Sequence, residues 1–165
     1  MRASLLVFAI PLLLLAACVS APPLSLEGAD RQLTPSEAVA DIEAARGRRV
    51  AWGGVIVSTR NLAQTTEIET VGYPLDDSGR PQTGAPPQQR FLLVRQGYLE
   101  AADFRSGRLI TAVGTVTGTR RGRVGEADYV YPVLEADEIY LWPPGDRAPR
   151  GSNVHFGIGI GVIVR

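Results

Sequence analysis

The most distinctive chemistry in this chain belongs to its single thiol. Cys18 follows Leu15-Ala16-Ala17 at the end of an apolar N-terminal run. A leucine three positions before a cysteine, with two small residues between, is the lipobox pattern. In such a motif the thiol is acylated and the chain is cut between Ala17 and Cys18. A diacylglycerol on the sulfur plus an acyl chain on the new amino terminus would bury many methylenes at ~0.8 kcal/mol each, enough for stable attachment. An ordinary leader followed by an ordinary buried thiol is the alternative. With no second cysteine in the chain, no intramolecular disulfide and no cysteine-based metal site can form.

Other residues with chemical potential are scattered. His155 is the only histidine, so a zinc site would need carboxylates from distant segments, and a plain surface histidine is the simpler reading. No serine sits in a nucleophile elbow such as Gly-x-Ser-x-Gly. Asp76-Asp77 and Asp137-Glu138 are adjacent carboxylates, but neighbours on a strand point to opposite faces and would not share one substrate. Gly157-Ile158-Gly159-Ile160-Gly161 imitates a dinucleotide loop without the helix and acidic residue such a loop requires. Its period of two reads instead as a terminal strand, pairing by default on its own domain. Arg120, Arg121 and Arg123 form the one basic cluster, read as a solvated hairpin tip or an anion contact. Trp52, Tyr98, Tyr129, Tyr131, Tyr140 and Trp142 could line a binding face or simply pack. The candidate ligand face is Trp52, Tyr129 and Tyr131 with the three arginines. No catalytic residue, metal site or cofactor is expected beyond the lipid on Cys18, and the chain is read as a non-enzyme.

Composition narrows the partners. Of 165 residues 17 are basic, all arginine, and 17 are acidic, so net charge is zero and electrostatic capture of nucleic acid is not expected. Residues 1–17 carry Arg2, an apolar core over 5–15 and small residues before the cut, which is a signal peptide. That core is far short of the ~20 apolar residues a membrane span needs. What remains is one domain's worth of chain, able to bury a core without metals or disulfides.

The elements that must position these residues follow in order. Residues 18–33 contain Ala-Pro-Pro and no periodicity, predicting a flexible tether. Thr34-Pro35-Ser36-Glu37 is a capping box with proline at the first helical position, followed by Ala38, Val39, Ile42 and Ala45 at helical spacing and by Gly47 as a stop. Strands are predicted over 50–57, 65–73, 91–94, 108–117 and 129–142, with a bulge or bend at Gly53-Gly54 and an edge or bulge at Pro132. Residues 74–88 must be a loop, 98–104 read as helix or turn, and 118–123 as a turn. Five strands with a helical insertion between the third and fourth predict a mainly β domain over 34–143, a small OB-like Greek-key barrel, with an open sandwich as the alternative. Residues 144–165 form a Gly-rich tail.

Trp52-Gly53-Gly54, Tyr73-Pro74-Leu75 with Gly79-Arg80-Pro81, Arg90-Phe91, Gly97-Tyr98-Leu99, Gly107-Arg108 with Thr111-Ala112-Val113-Gly114, Gly125-Glu126, and Tyr131-Pro132-Val133 with Leu141-Trp142-Pro143 occur in an order that resembles the Slp family of outer-membrane lipoproteins. The resemblance implies a starvation- or stress-associated lipoprotein anchored in the outer membrane of a Gram-negative cell, facing the periplasm. Its implied partners are that membrane and the lipoprotein processing and sorting machinery. Val19, where an aspartate would retain a lipoprotein at the inner membrane, agrees with that address. The resemblance brings no catalytic residues with it. The tail departs from the family's Gly-, Tyr- and Trp-rich pattern, so no role is transferred to it.

Overall fold

The computed structural model describes residues 24–143. The leader, Cys18 and the tail with His155 and the glycine alternation lie outside the described residues. Two short helices, α1 (Pro35–Ala40) and α2 (Ile42–Ala45), precede five strands: β1 (Arg49–Asn61), β2 (Thr65–Tyr73), β3 (Arg90–Gln96), β4 (Leu109–Val124) and β5 (Ala127–Leu141). These close into a barrel in the order β1-β2-β3-β5-β4, with β4 returning to β1, the OB-like arrangement. Every pairing is antiparallel except β3 with β5.

The barrel interior is set by alternation. Ile68, Phe91, Leu93, Ile110, Ala112, Val116 and Leu134 are fully buried and form one cluster with Val50, Trp52 and Ile56. Helix α1 plugs this cluster with Ala38, and its start is fixed as the capping box predicts, with Thr34 Oγ1 accepting from the Glu37 amide at 3.2 Å and the Glu37 carboxylate accepting from the Thr34 amide at 2.8 Å. The expected single helix is divided at Asp41, which leaves helical geometry and caps α2 by accepting from the Ala44 amide at 3.1 Å.

Several local expectations are corrected. Gly53-Gly54 are not the bulge, which lies between Ile56 and Ser58. Residues 53–55 pair with β2 and β4 at once, and a Cβ on Gly54 would lie 1.8 Å from the Val71 carbonyl oxygen. Close approach of backbones, not bending, is what glycine supplies there. Between β3 and β4, where a helical insertion is one of the two expectations, residues 101–104 form the turn that is the other. The tether is shorter than 18–33, since Leu24 is buried and, with Leu26 and Ala29, packs on Ala51, Val113, Leu75 and Tyr140, while Asp30 bridges to Val50. Pro132 does mark an edge: it pairs with Thr119 of β4, while the β3 pairing begins only at Val133.

The largest difference concerns residues 118–123. They continue β4 instead of turning, and reversal occurs at Gly125-Glu126 between the Val124–Ala127 pair, with Gly125 at φ 59°. The outer halves of β4 and β5 therefore project beyond the barrel wall as a two-stranded arm.

Candidate functional site

The arm folds over the outer surface of β2. Along that strand Thr66, Ile68 and Thr70 face inward, which leaves Glu67 and Glu69 on the outside. Glu67 nevertheless keeps only 8 % of its side chain exposed. Its carboxylate accepts from Arg60 of β1 at 2.8 Å and from Arg120 of the arm. Glu69 accepts from Arg90 at 2.6 Å and from the Tyr131 hydroxyl at 3.2 Å. The arm is further fastened by the Arg90 amide donating to the Tyr129 hydroxyl at 2.9 Å and by the Gln89 side-chain amide donating to the Val130 carbonyl at 2.8 Å.

Between arm and wall lies a groove of about 570 Å³, lined by Arg60, Glu67, Glu69, Arg120, Arg121 and Arg123 together with Tyr131, Leu92 and the β1 hydroxyl residues Ser58 and Thr59. Burial alone would raise the Glu67 carboxyl, but the hydrogen bonds and charges of Arg60 and Arg120 outweigh it and hold the group below its ordinary value. Tyr131 is pushed the other way, first by burial and then by the Glu69 charge. Glu67 thus stays ionised and Tyr131 protonated at neutral pH. These two groups therefore enter the groove as a carboxylate and a neutral hydroxyl.

The structure brings together five of the six residues of the candidate ligand face. Arg120, Arg121, Arg123 and Tyr131 line the groove, and Tyr129 stacks against Tyr131 with ring centroids 4.7 Å apart. Trp52 does not belong to this face. It is 3 % exposed, packs edge-on against Phe91 at 5.4 Å, and donates from its indole to the Leu33 carbonyl at 2.7 Å. Its ring is core because β1 turns that face inward. Tyr140 and Trp142 form a separate group, with the Arg80 guanidinium 5.4 Å from the Trp142 ring. Asp76 caps its own turn by accepting from Ser78 and Arg80. Asp137 and Glu138 share one partner after all: both pair with Arg49, because the register slips between Val113 and Gly114 and leaves Asp137 bulged.

Glu67, Glu69 and Arg60 were missed. A Glu-Ile-Glu alternation within a β-branched strand was the available signal, since period two sends both carboxylates outward together. Among the described residues no group of three or more His, Cys, Asp or Glu side chains could hold a metal ion. No helix there is long and apolar enough to cross a membrane.

Comparison with known proteins supplies the context. Residues 15–157 match the model of the outer membrane lipoprotein Slp family. This chain belongs to the Slp family. The match starts at Leu15, the first residue of the lipobox, and extends beyond the barrel. An uncharacterized lipoprotein of Escherichia coli strain K12, YeaY, is 31 % identical over 134 residues, covering 79 % of this chain and 67 % of the relative. An uncharacterized protein of Haemophilus influenzae is 32 % identical over 135 residues, covering 78 % and 70 %. Among solved structures, a small single-stranded DNA-binding protein from Streptomyces coelicolor aligns with a TM-score of 0.37 at 10 % identity, over 58 % of this chain and 94 % of that one. A likeness at that level carries no functional argument.

Proposed function

We propose that this Slp-family member is held in the outer membrane by lipid on Cys18, faces the periplasm, and serves envelope maintenance or adaptation to stress or starvation without catalysing a reaction. The observation that carries this reading is Leu15-Ala16-Ala17-Cys18, an acylation motif standing where the family match begins. Processing would remove residues 1–17 and leave Cys18 at the amino terminus, handled by the lipoprotein processing and sorting machinery. Non-catalytic action is supported by the groove's carboxylates, each committed to an arginine. Labelling cells with radioactive palmitate and fractionating envelopes tests the anchor. The wild-type chain is expected to carry label in the outer membrane, whereas Cys18→Ser carries none and is released or left unprocessed. Equal labelling of Cys18→Ser overturns the reading.

A second reading is favoured by the groove itself, in which four arginines meet a tyrosine and two carboxylates on the outside of the barrel. In that reading the domain binds an envelope ligand such as peptidoglycan, lipopolysaccharide or another oligosaccharide.

A further inference from the structure

The groove's charge balance defines its ligand more narrowly. Four lining arginines face two glutamates, an excess of two positive charges. The glutamates are already neutralised in charge: Arg90, from outside the lining, pairs with Glu69, and one guanidinium suffices for Glu67 although two converge on it. Arg123 reaches only the Glu126 carbonyl, at 2.8 Å, and no carboxylate among the described residues pairs with Arg121. Arg60 and Arg120 are 71 % and 44 % exposed, so each keeps further N–H donors toward solvent.

Guanidinium groups in this number match a phosphate, whose oxygens take paired N–H donors. The volume of about 570 Å³ is more than a phosphate fills, and falls in the range of small-molecule sites. What remains beside the arginines is suited to hydroxyl groups: the Glu69 oxygen that has only Ser58, at 3.5 Å, the Ser58 hydroxyl, and the apolar edge of Leu92. A nucleic-acid strand fits poorly. Tyr131 is 4 % exposed and presents no free ring on which a base could stack.

We infer that the groove binds a sugar phosphate, with Arg60, Arg120 and Arg121 holding the phosphate and Glu69 and Ser58 accepting and donating at sugar hydroxyls. The inference rests on the ligand-binding reading above and names its chemistry. The sugar phosphate is either a free metabolite-sized molecule or the head group of a glycolipid.

Calorimetric titration of the full lipidated chain in detergent micelles tests this with glucose 1-phosphate, inorganic phosphate, glucose, an unphosphorylated peptidoglycan disaccharide and a short oligodeoxynucleotide. Binding by the phosphorylated lipid A disaccharide head group, compared with glucose 1-phosphate, separates the two sources. Saturable binding of at least one sugar phosphate is expected, with inorganic phosphate weaker and glucose silent. Arg121→Glu, which breaks no internal hydrogen bond or ion pair, is expected to weaken it about tenfold or more, while Arg46→Glu, at the C-cap of α2, leaves it unchanged. Tighter binding of the unphosphorylated disaccharide, or indifference to Arg121→Glu, overturns the phosphate assignment but leaves a glycan-binding role standing. Preference for the oligonucleotide, or no binding of any probe, overturns both.

Discussion

The two halves of β4 are one strand under two different rules. From Leu109 to Val116 nearly every residue is buried, because the strand has β1 on one side, β5 on the other and the core beneath it. From Thr117 to Val124 nearly every residue is exposed or half-buried, β5 is the sole strand partner, and the strand is held to the wall by Arg120 on Glu67 and Tyr131 on Glu69. Apolar burial fixes the inner half and cannot easily be tuned without unfolding the barrel. Ion pairs fix the outer half, and such contacts contribute less stability while presenting charge to a ligand. The barrel is thus the scaffold, and the arm carries the exposed charge on which the proposed binding rests.

Substitutions in the two regions should separate on this basis. Phe91→Ala, in the middle of the core and fully buried, is expected to cost about 3–5 kcal/mol, read as a fall in the denaturant midpoint. Glu67→Ala leaves the core intact and removes one of the arm's attachments, for an expected loss of about 1–2 kcal/mol after allowing for the exposure of both arginines. A loss as large as that of Phe91→Ala would erase the distinction between scaffold and arm. Thr34→Ala, which removes the capping-box oxygen of α1, is expected to cost about 1 kcal/mol in the same assay.

Acid should act through the ion-paired and capping carboxylates, Glu67 at the arm among them. The Glu67 carboxyl titrates in the folded protein below its ordinary value of 4.5, so its contribution is fully present above that value and is lost as pH falls through the lower folded one. Asp30, held down by backbone donors from Gln32 and Leu33 and then by Arg48, and Asp76, where hydrogen bonds from Ser78 and Arg80 outweigh burial, add to the same slope. Glu67→Gln is expected to flatten stability against pH below about 4.5 without changing it in slope between pH 6 and 8. Thermal melts across that range provide the check.

The inner region was largely legible from sequence. The span 65–73 matched β2 end to end, the apolar run from Phe91 to Val94 marked β3, and Pro132 marked an edge or bulge in β5, because burial and backbone chemistry write themselves into residue type. The capping box was equally plain. The outer region was not. Gly118 and Gly122 amid arginines read as a turn, yet the pairing of 118–124 depends on β5 residues 127–133 lying opposite, which local composition does not reveal. Glu67 is buried only because residues from β1 and from the arm converge on it. Trp52 was misplaced for a related reason: an aromatic before two glycines gives no sign of which face of the strand it occupies until register is known.

The proposed membrane role of both regions stands on the anchoring proposed from Leu15-Ala16-Ala17-Cys18. Intact-mass and peptide mass spectrometry of the chain purified from envelopes tests that claim most directly. The amino-terminal peptide is expected to begin at Cys18 and to carry the mass of a diacylglycerol thioether plus an amide-linked acyl chain. An amino terminus at Met1, or cleavage elsewhere with an unmodified Cys18, would contradict it.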